Sequence, residues 1–160
     1  MIVVASLVDR IDQVLVPWLR RWSVLLLRTS LGVVFIWFGA LKVLDVSPVV
    51  DLVADTVYWV DPDWFVPLLG AVEMLIGIGL AFGRGLRLVL LALAAQMVGT
   101  FLVLIALPEV AFQDGNPLKL TVEGEFVIKN LVLLTAGLVV GSTIRGRHES
   151  SRRTFTSSAR

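Results

Sequence analysis

Long apolar stretches separated by short polar ones set the pattern of this chain. Four of them stand out: Trp22–Leu44, Trp64–Gly83, Leu86–Leu107 and Glu125–Ile144. About 20 helical residues cross a hydrocarbon core of about 30 Å, so each predicts a membrane span. Lipid offers no partner to open backbone groups, which makes an all-α four-helix transmembrane bundle the expected fold class. One such domain is expected over residues 1–148, with spans near 22–44, 64–83, 86–107 and 125–144, and the Arg/Ser-rich residues 149–160 form a disordered cytoplasmic tail.

The polar connections carry their own signals. "SPVVDLVADTVYWV" opens with Ser47 as N-cap and Pro48 at the first helical place, which predicts a short helix on the membrane surface. Asp61-Pro62-Asp63 reads as a turn and Trp64 as an interfacial anchor. In the last loop a turn is expected at Asp114-Gly115 and an N-cap at Thr121, with Glu123 and Glu125 at the dipole-favoured start of the fourth helix. Before the first span, Val4, Leu7, Val8, Ile11, Val14, Leu15 and Trp18 recur at helical spacing opposite Asp9, Arg10, Asp12 and Gln13. This segment reads either as an N-terminal amphipathic interfacial helix or as an extension of span one that bends at Pro17. It lacks the basic start and small-residue cleavage site of a signal peptide.

Composition agrees with the pattern. Hydrophobic residues make up 57% of the 160 and the mean hydropathy is +0.88, against roughly 45–50% in soluble domains. The net charge of +1 gives no reason to expect nucleic acid. With no cysteine, thiol exchange, thiolate zinc and iron–sulfur ligation are excluded for this chain, and a single histidine, His148, excludes a bis-histidine haem. No intrinsic cofactor is therefore expected. Arg10, Arg20, Arg21, Arg84, Arg87, Arg145, Arg147, Arg152, Arg153 and Arg160 flank one side of the spans, while the other two loops are acidic, with Lys119 their clear cation. That asymmetry places both termini in the cytoplasm of a multi-pass plasma-membrane protein.

Polar residues within the spans lie on single faces. Arg28, Gly32, Phe35, Gly39 and Lys42 fall at offsets of 4, 7, 11 and 14 in span one, and Gly70, Glu73 and Gly77 at 3 and 7 in span two. Gln96, Gly99 and Thr100 cluster in span three, and Asn130, Gly137 and Gly141, beside Lys129, in span four. Small residues let backbones approach, so these faces are expected to turn inward. Gln96, Thr100 and Asn130 would then fasten the bundle by hydrogen bonds or line a site. Arg28 and Lys42 either snorkel to headgroups or line a polar cleft. Glu73 lies roughly 14 Å below Trp64 at 1.5 Å per residue, near the midplane, where a charge costs about 2.5–3.5 kcal/mol. It must be protonated, paired or wet. Lys129, Gln96, a proton and a bound headgroup are the open choices. Glu125 competes for Lys129, and the Arg28 side chain leans away from it.

The stretches "LLRTSLGVVFIWFGALKVL" and "LLGAVEMLIGIGLAFGRGLRLVLLALAAQMVGTFLVLI" resemble the DoxX family of small four-helix membrane proteins, and "LTVEGEFVIKNLVLLTAGLVVG" is similar to its YkgB-like branch. The matching features are the Arg, Gly-x-x-Phe and Gly-x-x-Lys pattern of helix one, Gly-x-x-Glu with a second Gly in helix two, and the Gly/Arg turn. The resemblance implies a subunit linked to quinol oxidation, or a membrane anchor for soluble oxidoreductases in oxidant defence. It offers no established catalytic residue. On it, Glu73, Lys129, Arg28, Lys42, Gln96 and Asn130 are candidates for ligand binding or proton handling. The expected partners are the lipid bilayer, soluble oxidoreductases or quinol oxidase subunits, and further copies of the chain. A quinone or quinol is the expected ligand. The alternatives are a small proton-coupled transporter acting through Glu73 and a purely structural scaffold.

Overall fold

The computed structural model describes residues 2–144. Six α-helices follow one another: α1 (Ile2–Val43), α2 (Val50–Thr56), α3 (Pro62–Phe82), α4 (Leu86–Ala106), α5 (Pro108–Ala111) and α6 (Val122–Ser142). The part of α1 from Leu15 on, and all of α3, α4 and α6, are long and apolar enough to cross a membrane. The all-α bundle expected from the pattern is what the chain forms. The expected tail over 149–160 lies outside the described residues.

The helix ends follow local chemistry. The Asp61 side chain accepts a hydrogen bond from the Asp63 N–H at 3.0 Å, and Pro62 occupies the first helical position, where its missing donor costs nothing. Gly83 ends α3 in the left-handed region at φ 70°, a conformation that a Cβ would penalise. Thr121 caps α6 by accepting from the Gly124 N–H at 3.0 Å, as expected. Asp114 and Gly115 make the predicted turn, both with positive φ.

One expectation needs correction and one open choice is resolved. Of the two readings of the chain before span one, the extension holds and not the separate interfacial helix, because α1 runs unbroken for 42 residues with Pro17 inside it. Pro17 removes one backbone donor, and the helix continues through that loss. Ser47 does not cap α2, which begins at Val50 behind Val49 with no side-chain cap. The reason is the reversal after α1: Asp45 turns left-handed at φ 55° and the Val46 N–H closes on the Leu41 carbonyl at 3.0 Å, so Ser47–Val49 are used by the turn. The short helix α5 was not legible at all. It packs beneath α6 where Gly124 meets the Ala111 carbonyl, a contact that leaves no room for a side chain.

The tightest packing joins α1 to α3. A Cβ on Gly32 would lie 2.7 Å from the Gly77 carbonyl oxygen, and one on Gly77 2.6 Å from that of Gly32. Gly39 and Gly70 repeat the reciprocal contact at 2.5 and 2.6 Å. The two helices are therefore antiparallel and touch backbone to backbone at two levels, one glycine pair at each. Leu31, Phe35, Ile76, Leu80, Leu93, Met97 and Ala136 fill the core between α1, α3, α4 and α6. Gly137 and Gly141 face Leu93 and Leu90 of α4 rather than backbone. Gly99 has open space before it, so the α4 face does not close the bundle. Large apolar side chains such as Leu75, Leu88, Val98 and Ile105 cover the outside, as a lipid environment requires.

Candidate functional site

The antiparallel register decides which polar groups meet. With Gly39 opposite Gly70, Glu73 is level with Ile36 and Lys42 with Pro67. Six residues, about 9 Å along the axis, thus separate the two backbones. Helical side chains lean toward their own N-terminus. Lys42 therefore leans into the bundle and Glu73 leans outward, and in antiparallel helices these directions converge. Lys42 Nζ donates to Glu73 Oε1 at 2.8 Å and to Oε2 at 2.7 Å. Both residues are buried, at 7% and 6% exposure. Gln96 of α4 completes the cluster, its Nε2 donating to Glu73 Oε1.

The two charges cancel, which is what makes their depth tolerable. Each ion alone would be costly to desolvate, and a bidentate partner with a third hydrogen bond offsets that cost. The cluster also ties three helices together at one point.

This cluster forms one wall of a cavity of about 450 Å³, a size within the roughly 300–1,000 Å³ of small-molecule sites. Val34, Phe35, Leu69, Met97, Val103 and Leu133 supply apolar wall, and Leu52, Val53 and Thr56 of α2, with Val57 just after it, line a further side. Phe38 and Phe126 meet edge to face at 6.1 Å between α1 and α6. They line the cavity and are 36% and 38% exposed.

The six candidate residues do not all converge. Glu73, Lys42 and Gln96 are joined. Lys129 and Asn130 reach the cavity rim but do not touch Glu73. Lys129 instead pairs with Glu125 at 3.0 Å, one turn away on the exposed face, and Asn130 Nδ2 donates to its own helix at the Phe126 carbonyl, 2.9 Å away. Thr100 likewise bonds within its own helix, so neither it nor Asn130 fastens the bundle. Arg28 lies at the opposite end, its guanidinium packed against Gly83 at the C-terminus of α3, where the helix dipole favours a cation. Its Nε is buried and has no hydrogen-bond partner among the described residues.

Sequence reasoning missed the Lys42–Glu73 pair because it treated Lys42 as a residue near a helix end. The signal was nonetheless present. Two glycines seven apart in span one and two seven apart in span two imply the register, and the register with the side-chain lean implies the pair. The side of the cavity that α2 lines had no comparable signal.

No curated protein and no solved structure matches the chain. A family model does: the one described as DoxX matches residues 23–106, which is 84 of the 160 residues. The matched segment contains the reciprocal glycines and all three members of the buried cluster, whereas Lys129 and Asn130 fall beyond it. With its four apolar helices and more than half its length within that match, this multi-pass membrane protein belongs to the DoxX family.

Proposed function

We propose that the chain is an accessory subunit of a membrane-associated redox system in the plasma membrane, and that it holds a lipid-borne quinone or quinol beside Lys42, Glu73 and Gln96. The observation that carries this reading is the cavity: apolar walls around one buried, charge-neutral polar cluster. An uncharged headgroup suits such a site, since a charged one would stay uncompensated there. Such a headgroup can use the remaining N–H groups of Lys42 and Gln96, while an isoprenoid tail leaves past Phe38 and Phe126 into lipid. A quinone so bound supplies electron and proton chemistry, and the chain's own residues bind it, orient it and exclude water. Both termini face the cytoplasm on this reading, where the basic ends would meet a soluble oxidoreductase. The pairing of Glu73 with Lys42 argues against the transporter alternative, which needs a membrane acid free to exchange protons for a cation.

Purification from native membranes in mild detergent, followed by solvent extraction and mass spectrometry, tests the proposal. Quinone is expected near one per chain. Gly99 lines the cavity and a Cβ added there would meet no atom within 4 Å, so Gly99→Leu is chosen to direct side-chain volume into the cavity. That variant should fold and lose the quinone. Absence of quinone from the wild type, or equal amounts in Gly99→Leu, would sink the reading.

A further inference from the structure

Arg28 is fixed in place and has nothing to pair with among the described residues. The contact of Gly32 with Gly77 sets Arg28 level with Ala81, in the last turn of α3. Its side chain leans toward the start of α1, which carries the guanidinium out to Gly83. A Cβ on Gly83 would overlap that guanidinium, so the glycine that ends α3 also leaves the notch that Arg28 occupies. Arg28 Nε is buried with no hydrogen-bond partner among the described residues, whereas Nη1 and Nη2 are not buried. Each salt bridge among the described residues belongs to a lysine, so no described arginine has one. The surrounding charge has one sign. Arg84 follows Gly83 directly, Arg87 lies in the first turn of α4, and both are exposed. The last turn of α3, the first of α4 and the last of α6 contain no acid. A half-buried cation without a partner is costly, and a ligand that brings an oxyanion removes that cost.

From this held and unpartnered guanidinium we propose that Arg28, with Arg84 and Arg87 beside it, forms a site for the phosphodiester headgroup of an anionic membrane lipid. The two terminal nitrogens present a fork that matches two phosphate oxygens, a geometry that a lysine ammonium does not offer. An arginine that snorkels freely loses side-chain entropy when it binds. Arg28 has already lost it, because its Nε is packed into the protein. Arg84 and Arg87 then decide the class of headgroup: with no acid beside them they repel the cation of a zwitterionic lipid and favour net negative charge. The level in the membrane favours a lipid over free phosphate. Two spans, α3 and α4, meet at this turn, and Phe82 and Leu88 on either side of it are 73% and 75% exposed, which gives acyl chains apolar surface. Arg28 does not line the cavity, so this site is independent of the quinone reading.

The test titrates the full chain in mild detergent with dioleoyl phosphatidylglycerol or dioleoyl phosphatidylcholine and reads bound lipid by native mass spectrometry. The wild type should bind the glycerol lipid at least about fivefold more tightly than the choline lipid, the size of one arginine's attraction near a membrane surface. Arg28→Lys keeps the charge and removes the fork, and should weaken binding of the glycerol lipid about tenfold. Arg84→Ala with Arg87→Ala changes exposed positions only and should bring the two lipids close together in affinity. Arg20→Ala with Arg21→Ala removes the same charge from elsewhere on α1 and should leave both readouts within about twofold of wild type. A circular dichroism melt shows that each variant is folded, and the Arg84 and Arg87 pair carries the test if Arg28→Lys is not. Excess inorganic phosphate should not displace the lipid; full displacement would assign the site to free phosphate and end the lipid proposal. Equal binding of the two lipids by the wild type overturns the proposal. So does wild-type affinity in Arg28→Lys, or an equal loss in the Arg20 and Arg21 control, since either reduces the effect to diffuse attraction.

Discussion

Replacing Lys42 by Met is the sharpest probe of the buried cluster, because Met keeps most of the side-chain volume and removes only the charge. At 2.7 Å the ion pair attracts by about 6 kcal/mol at an effective dielectric of about 20. Desolvation of two ions takes back several kcal/mol each, so the intact pair adds little beyond an apolar isostere. Removing one partner is different, since it strands Glu73 at 6% exposure near the middle of α3 with only Gln96 bonded to it. Breaking a buried pair in this way costs about 3–5 kcal/mol. Lys42→Met should therefore destabilise by that amount, and adding Glu73→Gln should restore most of it. The assay is reversible unfolding in detergent by titrated SDS, followed by the fluorescence of the five tryptophans. Lys129→Ala is the control, because its pair with Glu125 is exposed and should be worth less than about 1 kcal/mol. A loss below about 1 kcal/mol for Lys42→Met, or no recovery in the double variant, would refute the reasoning.

Two further outcomes are expected. Gly39→Ala places a Cβ 2.5 Å from the Gly70 carbonyl oxygen and should cost about 1–3 kcal/mol in the same unfolding assay, whereas Gly99→Ala enters open space and should change stability by less than about 0.5 kcal/mol; equal effects would contradict the backbone contact. Because the chain has no cysteine, single Asp114→Cys and Arg84→Cys variants report topology directly. An impermeant thiol reagent added to intact cells should label position 114 and leave position 84 untouched until the membrane is opened, and the reverse pattern would invert the proposed orientation.

Much of the fold was legible because its causes are local. Hydrophobic length predicted the four spans, and Thr121 and Asp114-Gly115 predicted the cap and the turn that the chain uses, whereas Asp61-Pro62-Asp63, read as a turn, is the capped start of α3. Failures occurred where a neighbouring element overrode a local preference. Ser47 reads as a cap by type, but the reversal behind α1 consumes it. At Pro17 two readings were open, and α1 takes the one that extends span one through it.

The candidate site divides along the same line. Sequence alone determined that Glu73 cannot face lipid, since the energy of a carboxylate at that depth depends on little besides depth, and that it shares a face with Gly70 and Gly77. It also determined that Gly32 and Gly39 share a face with Lys42, through helical periodicity. Which cation answers the acid is a property of two helices at once. Only the tertiary structure decided it, through the glycine contacts that set the register of α1 against α3 and so bring Lys42, rather than Lys129, within 2.7 Å of Glu73. The cavity belongs to the structure entirely, because an empty space is made by the residues that fail to meet across it.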